Sequence, residues 1–254
     1  MSVATFATDT AVLTGRTLRH VTRSIDTIIT TAVMPIGIML LFVYVLGGAI
    51  DTGDVPYIDY MLPGILLITV ASGVSYTGYR LFMDMKSGIF ERFQSLPIAR
   101  TGVLWGHVLT SLAANLISLV LVVGVALAMG FRTGADALGW LAVTGILLLF
   151  TLTLTWVAVI AGLSANSVEG ASAFSYPLIF LPFVSSAFVP TDTMPGPVRW
   201  FAENQPVTSI VNSIRSLFAG QPVGADIWIA LAWCVGILVV AVIAARVVYR
   251  RKLG

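Results

Sequence analysis

The sequence predicts an all-α, polytopic membrane protein of six transmembrane helices with both termini in the cytoplasm. Three observations lead there. The 254 residues are 57% apolar and only 10% charged, and their mean hydropathy of +0.95 is beyond the reach of a water-soluble domain of this length. Six apolar runs are each long enough to cross the membrane, which takes roughly 20 residues of helix for about 30 Å of hydrocarbon. They cover 27–50, 57–79, 103–130, 138–163, 171–189 and 227–248. Finally, 11 of the 14 lysines and arginines fall on one side of this threading.

Orientation comes from those basic residues, because cytoplasmic loops carry the excess of lysine and arginine. Arg16, Arg19 and Arg23 precede the first run, Arg80, Lys86, Arg92 and Arg100 separate the second from the third, and Arg246, Arg250, Arg251 and Lys252 lie at the end of the sixth or beyond it. Only Arg132, Arg199 and Arg215 lie opposite, and Asp51, Asp54 and Asp59 cluster in the first external loop. The chain therefore reads as one multi-pass domain over 1–254 in the cell membrane, with lipid as its solvent. Its net charge of +2 offers no basis for binding nucleic acid. The segment 1–26 has no small-residue cleavage site behind a short apolar stretch, so the first span is expected to act as an uncleaved anchor. Within that segment Arg16, Arg19, His20 and Arg23 share one helical face and Leu18, Val21 and Ile25 the opposite one. This suits an amphipathic helix lying in the cytoplasmic interface, with a solvated tail as the alternative.

Between the second and third runs, Phe82, Met85, Ile89, Phe93 and Leu96 recur at helical steps and form one stripe, with Asp84, Ser87, Glu91 and Ser95 on the other face. The spacing predicts a short cytoplasmic helix over 82–97, ended by Pro97. A surface helix of this kind either rests on the membrane or docks into a groove on a protein. Carboxylates at the centre of its polar face would be repelled by anionic lipid, which favours docking.

After the fourth run the pattern becomes irregular. Pro177 and Pro182 interrupt the fifth run, Pro190 ends it, and Pro195, Pro197, Pro206 and Pro222 punctuate the region before the sixth. The stretch 190–226 is too apolar for a free aqueous loop and is expected to fold back into the outer leaflet as one or two short helices. Ile210, Ile214 and Leu217 mark a helical second limb. An ordinary external loop capped by interfacial aromatics is the alternative.

The chain has no phosphate-cradling G-x-x-x-x-G-K-[ST] loop, no dinucleotide fingerprint and no His/Cys metal cluster. No catalytic or metal-ligating residues and no cofactor are expected. The acidic residues fall at loops and span ends, and the span interiors carry neutral groups such as Thr69, Ser72, Ser75, Asn115, Thr151, Thr153 and Thr155. These read as interhelical hydrogen-bonding residues, and His107 as structural. The single cysteine, Cys234, reads as a small buried hydrophobe. An ion-coupled transporter generally keeps charge within the membrane, so energy for any transport must arrive from outside the chain.

The pattern G-x-x-E-R-x-x-S-L-P-x-x-R, formed by Gly88, Glu91, Arg92, Ser95, Leu96, Pro97 and Arg100, together with the threading and the apolar region before the last span, resembles the ABC-2 type permeases. Within them the chain is most similar to the daunorubicin- and doxorubicin-resistance drug-export permeases of actinobacteria. Where such permeases often show Asn-Pro in the external region, this chain has Gln205-Pro206. The resemblance implies a dimerising membrane subunit, expected as a homodimer, resting on two separately encoded ATPase subunits that hold ATP and Mg. It further implies that 82–97 is a coupling helix, with Gly88, Ile89, Phe90, Glu91, Arg92, Phe93, Leu96 and Pro97 contacting the ATPase. The activity implied is export of a drug-like or lipid-like amphipathic compound, or of a lipid-linked glycan by the same architecture. An ATP-independent channel or secondary transporter is a weaker alternative, and the chain itself is not expected to be an enzyme. Tyr44, Met61, Tyr76, Phe174 and Phe180 are candidates to line the substrate path, with packing as the competing role for each.

Overall fold

The computed structural model describes residues 25–50, 52, 53, 55–87 and 102–253. The proposed interfacial helix up to residue 24 and all eight ATPase-contact candidates, Gly88 through Pro97, lie outside the described residues.

Every regular element among the described residues is helical. α1 (Ile25–Leu41) continues into a π-helical turn, Phe42–Leu46. α2 covers Tyr57–Lys86, α3 Gly102–Ala128 and α4 Ala137–Ser164. Two single-turn helices, α5 (Val168–Ala173) and α6 (Ser175–Phe180), run into a 3-10 turn at Leu181–Val184. A further 3-10 turn, Thr191–Thr193, precedes α7 (Gly196–Asn204) and α8 (Pro206–Phe218), and α9 (Asp226–Leu253) closes the chain.

Four of these, α2, α3, α4 and α9, are long and apolar enough to cross a membrane. The runs at 27–50 and 171–189 depart from the predicted single spans. The first is a shorter apolar helix over Thr31–Leu46. The second is broken, because prolines at 177 and 182 remove the N–H groups that would bond the carbonyls four residues earlier. The predicted break between a span ending at Tyr79 and a surface helix starting at Phe82 is also absent. α2 runs unbroken to Lys86, since nothing from Tyr79 to Lys86 disrupts helical geometry, and the chain turns at Ser87, whose backbone N–H bonds the carbonyl of Met83.

Burial is inverted with respect to a water-soluble bundle. α2 is the least apolar of the four long helices, with a mean hydropathy of 1.5 over its best stretch, and 72% of that stretch is buried. α9 is the most apolar at 2.8 and only 17% buried. Its Val240 and Ile243, like Val120 of α3, face outward. Such a distribution fits a protein whose surroundings are hydrocarbon, where outward apolar residues cost nothing.

The core has two apolar parts. The larger gathers Met61, Leu62, Ile65 and Leu66 of α2 with Val122 of α3, Ile146 of α4 and Ile210 and Ile214 of α8. The smaller lies at the end of the bundle where α2 and α4 finish and α3 begins, and contains Leu81, Leu104, Val108, Val159, Leu163, Ala245 and Tyr249. Between them runs a buried polar seam. Thr77 donates to Ser111 Oγ at 2.9 Å, and Ser111 Oγ lies 3.0 Å from Thr155 Oγ1, joining α2, α3 and α4. Asn115 Nδ2 donates to the Ser111 carbonyl at 3.0 Å. Thr155 and Ser111 thus spend their polarity on neighbouring helices and on their own backbone, while the buried Asn115 Oδ1 accepts no hydrogen bond from the described residues.

α2 and α4 meet at two glycines. A Cβ on Gly162 would lie 2.7 Å from the Gly78 carbonyl oxygen, and one on Gly78 would lie 2.5 Å from the carbonyl of Ala171 and 2.9 Å from the Phe174 ring. Gly78→Ala and Gly162→Ala should each cost on the order of 1–3 kcal/mol by overpacking, read as a lower melting temperature in detergent. Gly236→Ala, with open space around its Cβ position, should leave that temperature unchanged or raised.

Candidate functional site

At the end of the bundle where α2 starts, the chain over 185–188, just past the 3-10 turn, has no regular hydrogen-bond ladder, so its polar backbone needs other partners. α8 supplies most of them. Gln205 caps α8, its Oε1 accepting from Val207 N at 3.2 Å while its Nε2 donates to the Val184 carbonyl at 3.2 Å. Thr208 Oγ1 accepts from Ser186 N at 3.4 Å, Ser185 Oγ donates to the Pro182 carbonyl at 2.6 Å, and Tyr57 of α2 donates to the Phe188 carbonyl at 3.1 Å. Gln205 thus ties the start of α8 to the end of the 3-10 turn.

Arg215 draws three elements into one knot. Its Nη2 donates to the Ser186 carbonyl at 2.7 Å, its Nε to the Tyr60 carbonyl at 3.1 Å, and its Nη1 to Asn212 Oδ1 at 3.1 Å. The guanidinium lies over the Tyr60 ring, 3.8 Å from its centre. Ser186 Oγ in turn donates to Asn212 Oδ1 at 2.8 Å. Among the described residues no carboxylate takes part: carbonyl dipoles and a ring face balance the charge. The contrast is Arg199 on α7, which donates to Glu203 at 2.7 Å with both side chains more than 40% exposed. The bond from Arg199 holds the Glu203 carboxyl below its ordinary range, but an exposed pair of this kind adds little stability.

The aromatic rings of Phe42, Phe183 and Phe188 cluster beside this knot. Phe183 and Phe188 stack at 4.8 Å, and Phe42 lies 4.9 Å from Phe188. This joins the π-turn after α1 to the irregular stretch after α6. Among the five substrate-path candidates, Phe180 borders the cluster, 6.3 Å from Phe183, and is 64% exposed. Tyr44 is exposed, Met61 is fully enclosed in the larger core, Tyr76 sits beside Tyr79, and Phe174 packs against Gly78. The structure does not bring these five into one cavity. An apolar cavity of about 320 Å³ lies elsewhere, between α3 and α4, with Val120, Val123, Trp140, Val143 and Phe218 in its walls.

At the opposite end, α2 and α3 are fastened together. Asp84 Oδ2 lies 3.1 Å from His107 Nε2. Ser87 Oγ donates to the Asp84 carbonyl at 2.9 Å, closing the last turn of α2. Arg80 and Lys86 fold over the rings of Tyr76 and Phe82. The chain leaves α2 here, and the segment carrying the Gly88 to Arg100 pattern returns it to α3. Among the described residues no group of three or more His, Cys, Asp or Glu side chains is placed to hold a metal.

Two comparisons bear on this arrangement. The family model described as ABC-2 type transporter matches residues 8–219. The chain belongs to the ABC-2 type transporter family. It is 31% identical over 232 residues to the daunorubicin resistance ABC transporter permease protein DrrB1 of Streptomyces coeruleorubidus, covering 89% of this chain and 80% of that protein. It is 26% identical over 251 residues to the probable doxorubicin resistance ABC transporter permease protein DrrC of Mycobacterium tuberculosis, covering 97% of this chain and 90% of that one. These relatives are permease subunits, the membrane components of ABC transporters. In this ABC-2 permease, then, the knot around Arg215 belongs to the loop and two short helices that precede the last long helix.

Sequence reasoning did not single out Arg215, Tyr60 or the Asp84–His107 pair. The legible signal was that Arg215 is the one charged residue of the amphipathic α8; two of its partners are backbone carbonyls, which sequence cannot display. Arg215→Met should strand the Ser186 and Tyr60 carbonyls and lower the apparent melting temperature of purified protein by several degrees, a loss of about 1–3 kcal/mol for each buried group left unpaired. Glu203→Gln should leave it within a degree or so, since an exposed ion pair is worth about 0–1 kcal/mol.

Proposed function

We propose that this chain is the membrane-spanning subunit of an ATP-driven exporter that moves hydrophobic or amphipathic, drug-like or lipid-like compounds out of the cytoplasm. The observation that carries the reading is the match to drug-resistance permeases along 89% of the chain. The absence of any phosphate-binding loop in the sequence agrees with it. ATP and Mg are held by two separate ATPase subunits, and a second copy of the permease completes the assembly.

In this reading α1 with its π-turn and the broken α5–α6 run cross the membrane alongside α2, α3, α4 and α9, making six crossings. The distribution of basic residues supports a cytoplasmic position for both termini and for the 82–97 segment. α7 and α8 fold back at the outer face. The ATPase pushes on Gly88 through Pro97, with Glu91 as polar anchor and Ile89 and Phe93 as apolar knobs, and the push rearranges the spans. Tyr44 and Phe180, exposed on the single chain, are the best placed of the candidate path residues. Tyr76 and Phe174 come next, from the side of α2, and Met61 would join them only in a conformation that opens the core.

The test is reconstitution of the permease with its ATPase subunit in liposomes, reading accumulation of a fluorescent anthracycline. Transport should require nucleotide and both proteins. Full-rate movement by the permease alone without nucleotide would refute the reading. Glu91→Ala and Phe93→Ala should each lower ATP-dependent transport at least tenfold while the permease keeps its melting temperature. Transport at the wild-type rate in both variants would remove the 82–97 segment from its coupling role.

A further inference from the structure

Among the described residues, the two helices that flank the proposed coupling segment are joined near their ends by a single polar contact between side chains that the sequence keeps far apart. Asp84 sits in the last turn of α2, and His107 in the second turn of α3, with their Oδ2 and Nε2 atoms 3.1 Å apart. The next side-chain bond between these helices, Thr77 to Ser111, lies two turns deeper along α2, about 10 Å away at the helical rise. Between the two, α2 and α3 meet through apolar side chains such as Leu81 against Leu104 and Val108. Packed apolar helices slide past one another at small cost, the shear by which many proteins change shape. A directional bond does not permit that slide without breaking.

His107 is itself buried, 9% exposed, beside the smaller apolar core that also holds Val159 and Leu163 of α4 and Ala245 and Tyr249 of α9. Its Nε2–H donates to the carboxylate whether the ring is neutral in that tautomer or fully protonated. The pair therefore ties the base of the 88–101 connection to the packed end of the bundle.

We propose that Asp84 and His107 are positioning residues for energy coupling. They hold the two ends of the coupling segment at fixed separation, so that a push on it moves α2 and α3 as one body instead of being lost as sliding between them. This rests on the reading of Gly88 through Pro97 as the stretch on which an ATPase acts.

The test uses permease and ATPase subunit reconstituted together, measuring copurification, ATP hydrolysis and anthracycline transport for each variant. His107→Leu and Asp84→Ala should keep the ATPase bound and hydrolysing within twofold of wild type, while transport per ATP falls at least fivefold. His107→Gln, which retains an N–H at similar reach, and the exchange D84H/H107D should recover at least half of the lost coupling. Asp84→Ala lies at a partly exposed helix end, so it reports even where the buried His107→Leu fails to fold. The proposal is overturned by unchanged transport per ATP in Asp84→Ala, by His107→Gln being as impaired as Asp84→Ala, or by loss of ATPase copurification, which would make the pair an assembly contact. Failure of the underlying reading looks different: wild-type transport would then be independent of nucleotide, and the clamp would have nothing to transmit.

Discussion

A helix surrounded by hydrocarbon gains nothing by hiding its leucines, so close approach and polar contact must hold the bundle together. α2 provides both. Its Gly78 lets the carbonyl of Ala171 and the backbone of α4 come near, its Thr77 opens the seam through Ser111 to Thr155, and its two ends carry the Tyr60 contact to Arg215 and the Asp84 contact to His107. The least apolar long helix is the most enclosed because it is the one others must touch. α9 packs along one side on α4 and α8 and presents valines and isoleucines outward on the other.

The polar seam gives the bundle a division that no single helix shows. On one side lies the larger core, which includes α8 and the irregular chain around Ser186. On the other lies the smaller core, built on the ends of α2, α4 and α9 and the start of α3. Hydroxyls that bond across helices and also to their own backbone carbonyls, as Thr155 does to Thr151 at 2.7 Å, can exchange partners without leaving a group unpaired. The boundary between the two cores is therefore built from contacts that tolerate rearrangement better than interlocked side chains do.

Hydropathy carried much of the fold. The long helices at 57–86, 102–128, 137–164 and 226–253 agree with apolar runs in the sequence, whereas the run at 171–189, read as a span despite its prolines at 177 and 182, is broken into short helices. The stripe of Ile210, Ile214 and Leu217 foretold α8. Hydropathy failed at Tyr79, because it reads a change of solvent and not a change of backbone. Arg80 and Lys86 fold over tyrosine and phenylalanine rings and Asp84 finds His107, so a helix that leaves the apolar layer need not stop there. The two contacts at the ends of α2 were illegible for a related reason. Each depends on which side chain faces which across 23 or 155 positions of chain, a relation that a single sequence does not encode.

The interrupted stretch from Val168 to Val184 has already surrendered the continuous ladder that makes a helix stiff. Bending α2 or α4 would mean tearing a continuous ladder, whereas the ladder is already interrupted at Phe174 and tightens into a 3-10 turn from Leu181. Bending therefore breaks fewer helical bonds in this stretch than in the unbroken rods beside it.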